Sequence, residues 1–122
     1  MLGYVTVGTN DFEKAKTYFD ALFAELGGKR TFANDHMQGY GNSRTGAMVM
    51  VCTPNDGKAA TVGNGTMFAL AAPSQDVVDK VHAKAMALGS KDEGAPGDRG
   101  GGFYGAYFRD LDGNKFCVFK MG

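Results

Sequence analysis

The sequence has no net charge, few cysteines and no long apolar run. Lysine and arginine together number 13, as do aspartate and glutamate, so no excess charge draws the chain to nucleic acid or to an anionic membrane. No segment approaches the roughly 20 apolar residues of a membrane span, and the N-terminal segment shows no basic stretch followed by an apolar run. We therefore predict a cytoplasmic protein with no nucleic-acid or membrane partner.

The only cysteines, Cys52 and Cys117, lie in strand-like segments. This is not the dense spacing of a secreted disulfide framework, which indicates that both are reduced. Phosphate-binding motifs are also missing, because "GNGT" and "GDRGGG" lack the context of a P-loop or a dinucleotide fold. The 19 glycines instead gather between periodic segments, where turns need them.

What is present is a repeated order of strands and helices. A short β-branched strand ends at "GTND", which offers Thr9 or Asn10 as a helix N-cap, and an apolar stripe at three- and four-residue steps then predicts a helix. The strands predicted in the first half lie at 2–7, 29–32, 37–41 and 47–53. The second half repeats the order, with a helix before Gly89 and strands predicted at 66–72, 90–93 (weak), 103–110 and 114–120.

This repetition predicts an α+β fold of two tandem βαβββ modules packed side by side. Each half has too few strands to bury a helix and a sheet face alone. We place the modules at about 1–56 and 64–122 within a single domain spanning 1–122. The glycine-rich stretch 94–102 is predicted to be a mobile loop at the rim of the fold.

Three segments carry a family resemblance: "TVGTNDFEKAKTYFDALFAELGGKR", "GNGTMFALAAPSQDVVDKVHAKAMALG" and "FYGAYFRDLDGNKFCVF". They resemble glyoxalase-like members of the vicinal oxygen chelate superfamily, which includes glyoxalase I, the bleomycin and fosfomycin resistance proteins and extradiol dioxygenases. The resemblance implies that the two modules form a U-shaped cavity with metal ligands on their first and last strands. Those ligand positions fall on Tyr4, Met67 and Cys117, with Met50 opposite Cys117 in the other module, and none of these is a family ligand.

Strand alternation identifies the side chains that would line such a cavity. If Val5 and Phe116 face the helices, their neighbours along the strands face the other way. The residues predicted to line the cavity are Tyr4, Thr6, Met48, Met50, Met67, Ala69, Tyr104, Tyr107, Cys117 and Phe119. Arg99, beside the last loop, is a candidate for binding a carboxylate. Walls of this kind suit an aromatic or alkyl ligand better than a hard cation.

Cys117 has three interpretations. As a metal ligand it would need a partner such as Cys52, and as a nucleophile it would need a base or a cation to lower its pKa. A buried small hydrophobe is the more common role of a free cysteine. We expect His36 and His82 to be surface residues.

The sequence therefore predicts a glyoxalase/bleomycin-resistance-like protein with a degenerate metal site, no cofactor, and a small, partly apolar ligand in the cavity between the modules. The alternative is a metalloenzyme with atypical ligands, either a lyase or isomerase of the lactoylglutathione lyase type or a dioxygenase, which would need a divalent metal. A third possibility is a structural module with a filled cavity. Exposed edge strands make a homodimer possible.

Overall fold

In a computed structural model that describes residues 1–122, the chain forms two compact units, Met1–Thr61 and Val62–Gly122. Each unit contains one helix and four strands. The first unit contains β1 (Tyr4–Gly8), α1 (Phe12–Ala24), β2 (Lys29–Asn34), β3 (Met37–Gly41) and β4 (Met48–Cys52). The second contains β5 (Phe68–Ala71), α2 (Gln75–Ala87), β6 (Lys91–Asp98), β7 (Phe103–Arg109) and β8 (Lys115–Met121). The predicted α+β fold of two tandem βαβββ modules is confirmed.

The two sheets have the same topology. The first has the strand order β1-β4-β3-β2 and the second β5-β8-β7-β6. In each sheet the first and last strands of the unit pair in parallel, and the other neighbours pair antiparallel. Val5 lies opposite Val49 as Phe68 lies opposite Phe116, so the parallel pairs β1–β4 and β5–β8 have corresponding registers.

One face of each sheet packs against the helix of its own unit. In the first unit the Tyr40 hydroxyl donates to the Asp20 carboxylate of α1 at 2.8 Å. In the second, the Tyr104 hydroxyl donates to the Asp79 carboxylate of α2 at 2.6 Å. We call these the helix faces, and the opposite side of each sheet its open face. Neither helix is long and apolar enough to cross a membrane.

The first helix begins one or two residues later than predicted. Its N-cap is Asp11, whose carboxylate accepts from the Lys14 backbone N–H, and not Thr9 or Asn10. Thr9 is buried and bonds the Asp11 backbone, while the Asn10 side chain exchanges two hydrogen bonds with the Ala60 backbone. The polar side chains of "GTND" therefore have separate structural roles, of which only one is the cap.

The prediction of a mobile loop at 94–102 is wrong for residues 94–98, which form part of a strand. Residues up to Asp98 belong to β6, the edge strand of the second sheet, and the connection to β7 is only the turn at 99–102. Pro96 is tolerated because an edge strand has unpaired N–H positions, and two register shifts interrupt the pairing with β7. Three glycines with positive φ, at 100–102, form the turn itself.

His82 is also not a surface residue as predicted. His82 lies on the side of α2 that packs against the sheet and is 8% exposed. Its Nε2 lies 3.0 Å from the Asp92 carboxylate of β6. The pair connects α2 to the edge strand. His36, in the turn between β2 and β3, is exposed as expected.

Candidate ligand-binding site

The open face of the first sheet carries thioether and small polar side chains. Tyr4 lies beside Met48, and Thr6 beside Met50, across the parallel pair β1 and β4. Gly39 faces Met50 from β3, where a Cβ atom would lie 2.7 Å from the Met50 sulfur. Because glycine leaves this space, the Met50 side chain lies across β3 and is only 4% exposed. Tyr4, by contrast, is 57% exposed.

The open face of the second sheet is centred on Cys117. Ala69 of β5 and Tyr107 of β7 are its neighbours on either side, and residues directly opposite each other in a sheet share a face. Phe119 follows two residues later on the same face, and its ring stacks on Phe103 with centroids 5.2 Å apart. The structure thus brings together four of the predicted residues: Ala69, Tyr107, Cys117 and Phe119.

Tyr104 does not join this group. It is three residues before Tyr107, an odd spacing that places the two side chains on opposite faces of β7. Its hydrogen bond to Asp79 puts it on the helix face. Strand alternation alone would have separated the two tyrosines.

Cys117 is almost completely buried, at 1% exposed, beneath its neighbours. Burial raises the pKa of its thiol, whereas a hydrogen bond with Tyr107 and the positive charges of Arg99 and Lys115 act in the opposite direction. The net shift is upward, so the thiol is protonated at neutral pH. This favours Cys117 as a packing residue of the open face over a nucleophile or thiolate ligand.

Several cations surround the same face. The Arg99 guanidinium carbon and the Lys115 Nζ lie 5.6 Å and 5.7 Å from the Tyr107 ring centroid. Arg109 also lies on this face, where its Nε donates to Glu93 at 2.7 Å. The residues predicted from the sequence to line the site include neither Lys115 nor Phe103. Counting in steps of two along β7 from Tyr107 to Phe103 would have placed that ring on the open face.

The residues at the family's metal-ligand positions do not fit a divalent metal. Tyr4 and Met67 are exposed and offer a phenol and a thioether, and the Cys117 thiol is held protonated by burial. Met50, the counterpart of Cys117 in the first unit, adds a second thioether. Hard divalent cations prefer carboxylate, imidazole and water ligands. No group of three or more His, Cys, Asp or Glu side chains is arranged to hold a metal ion.

The family of the chain is decided by a match over residues 1–118 to the model of the Glyoxalase/Bleomycin resistance protein/Dioxygenase superfamily. The chain belongs to this superfamily. A glyoxalase/bleomycin resistance protein from Albidiferax ferrireducens is 36% identical, with a TM-score of 0.91 over 100% of this chain and 99% of the other. A search of curated proteins gave no match.

More distant superfamily structures share the fold alone. A glyoxalase/bleomycin resistance protein/dioxygenase family enzyme from Burkholderia phytofirmans is 17% identical, with a TM-score of 0.80 over 98% of both chains. A lactoylglutathione lyase from Agrobacterium tumefaciens is 19% identical, with a TM-score of 0.73 over 98% of this chain and 92% of that one. At these identities the reaction of the relative does not transfer to this superfamily member.

Proposed function

We propose that this superfamily member binds a small, partly apolar molecule on the open face of its second sheet and does so without a resident metal. The observation that carries the proposal is the side-chain set around Cys117. Ala69, Tyr107 and Phe119 present an aliphatic and aromatic surface on the face opposite the helix. Ligand sites typically combine such an apolar lining with a few polar groups.

The residues at the metal-ligand positions support the same proposal. A carboxylate or imidazole at only one position would leave a partial site, but Tyr4, Met67 and Cys117 replace all three. A divalent metal would have to bind a phenol, a thioether and a protonated thiol. Binding of the apolar molecule is therefore the better use of this surface, as the bleomycin-resistance name within the superfamily suggests.

The open face of the first sheet carries four of the predicted lining residues, Tyr4, Thr6, Met48 and Met50. The flexible thioethers of Met48 and Met50 adapt to irregular apolar shapes. A cytoplasmic location and a homodimer stay predictions.

The proposal can be tested with naphthylmethanol, a neutral aromatic probe, added to ¹⁵N-labelled protein. We expect amide shifts to concentrate at Ala69, Tyr107 and Cys117 and to be small along α2. Tyr107→Ala should weaken binding, whereas Tyr104→Ala, on the opposite face of the same strand, should not. Absence of saturable shifts, or equal effects of the two variants, would refute the proposal.

A further inference from the structure

Two cations flank the apolar surface around Tyr107 and Cys117. We propose that this face recognises a carboxylate attached to a planar apolar body, with Arg99 and Lys115 binding the carboxylate. The inference rests on the proposed function and specifies the chemical class of its ligand.

Arg99 is held in place by the backbone of β6. Its Nη2 donates to the Ala95 carbonyl oxygen at 2.6 Å. A Cβ atom at Gly94 or Gly97 would lie 3.2 Å or 3.1 Å from the guanidinium nitrogens, so the planar group lies directly over two glycines. Gly94 faces Tyr107 across β6 and β7, which places the guanidinium beside the phenol ring. An arginine fixed in this way loses less side-chain entropy when it binds an anion.

Lys115 approaches the same ring from β8. Its strand position places it on the open face, two residues before Cys117, and its Nζ is 5.7 Å from the Tyr107 centroid. The nearby Glu93 carboxylate attracts it, but Glu93 itself accepts a hydrogen bond from Arg109. Arg109 forms an ion pair with Glu93, whereas neither Arg99 nor Lys115 forms an ion pair. Both cations therefore keep the capacity to bind an external anion.

The charge on this face differs from that of the whole chain. The chain is neutral overall, yet the open side of the second sheet and residues 98–102 carry four cations, Lys91, Arg99, Arg109 and Lys115, and two carboxylates, Glu93 and Asp98, of which Asp98 accepts from the Gly100 backbone N–H. This local positive charge favours an anionic ligand over a neutral or cationic one.

The apolar part of the ligand is indicated by flat surfaces beside the cations. Phe103 covers Gly105, where a Cβ atom would lie 2.6 Å from its ring, and stacks on Phe119 with an angle of 10° between the rings. Ala69 of β5, on the other side of β8, adds an exposed methyl group and no bulky side chain to this surface. A planar body can lie on such a surface while its carboxylate reaches the cations.

The test compares naphthoate with the neutral naphthylmethanol by isothermal titration calorimetry. We expect naphthoate to bind more tightly and to lose affinity as salt is added, because salt screens exposed charges. Arg99→Gln and Lys115→Gln should each weaken naphthoate binding about tenfold, the effect of losing one charge-assisted contact. Both should weaken the binding of naphthylmethanol much less, because the alcohol carries no charge.

Matched controls come from cations elsewhere. Arg44→Gln removes an exposed arginine of the first unit, and Lys120→Gln removes a lysine on the helix face of β8. Neither should change naphthoate binding. Gly97→Ala keeps all charges, but its Cβ atom would lie 3.1 Å from an Arg99 guanidinium nitrogen, so it should weaken naphthoate binding in the same direction as Arg99→Gln.

The outcomes separate the two proposals. Equal affinity for both probes with no effect of Arg99→Gln or Lys115→Gln overturns carboxylate recognition while leaving apolar binding intact. Carboxylate recognition is also overturned if Arg44→Gln and Lys120→Gln weaken naphthoate binding as much as Arg99→Gln and Lys115→Gln do. That result would show a nonspecific effect of charge. Failure of both probes to bind overturns the proposed function together with this inference.

Discussion

Tyr107 and Cys117 lie directly opposite each other on the open face of the second sheet. The Tyr107 phenol and the positive charges of Arg99 and Lys115 favour the thiolate, but burial outweighs them and keeps the pKa of Cys117 above its ordinary value. The thiol therefore belongs to the packed floor of the proposed ligand site.

Cys117 should be inert toward thiol reagents in the folded protein. In a Cys52→Ser variant we expect Ellman's reagent to react with it far more slowly at mildly alkaline pH than in concentrated guanidinium chloride. In a Cys117→Ser variant the half-buried Cys52 should react faster, although burial raises the pKa of that thiol as well. Rapid labelling of native Cys117 would instead support the nucleophile interpretation.

A second prediction concerns the helix face of the first sheet. Arg30 donates two hydrogen bonds to Asp20, at 2.8 Å and 2.9 Å, and Tyr40 donates a third at 2.8 Å. The Arg30 bonds hold the pKa of Asp20 below its ordinary value of 3.8. This contribution to stability is therefore fully present above that value and is lost as the pH falls through the lower folded-state pKa.

Asp20→Asn should accordingly lower the free energy of unfolding by about 1 kcal/mol at neutral pH, a value kept small because both partners are solvent-accessible. The difference from the parent protein should shrink in acid, where Asp20 is protonated in both states. Urea unfolding followed by circular dichroism at the two pH values measures this. An equal loss in acid, or an equal loss from the exposed Asp35→Asn control, would contradict it.

The superfamily's lyase chemistry provides a third prediction. Because the residues at the metal-ligand positions are poor donors, we expect no consumption of methylglyoxal and glutathione above the uncatalysed rate in the presence of nickel or zinc. Absorbance of the thioester product follows the reaction directly. Saturable turnover that Cys117→Ala abolishes would favour the metalloenzyme alternative.

The sequence predicted the topology because strand alternation, helical stripes and glycine stops are local signals. It missed most of β6 because Pro96 and the neighbouring glycines resemble a loop until the edge position of the strand is known. It misjudged His82 because the partner, Asp92, is brought close only by packing of α2 on the sheet.

The candidate site was predictable to a similar degree. Alternation correctly placed Cys117 and Phe119 on one face, and the same rule, applied strictly, would have excluded Tyr104. The position of the Arg99 guanidinium could not be predicted, because it depends on the space left by Gly94 and Gly97 in a strand with irregular register.

Metal content tests the central claim most directly. The purified protein is equilibrated with zinc, nickel, manganese and iron(II), desalted, and measured by inductively coupled plasma mass spectrometry. The account predicts far less than one retained metal per chain, with no difference between the parent protein and Cys117→Ala. Retention of about one equivalent that Cys117→Ala releases would contradict it and place Cys117 in a metal centre.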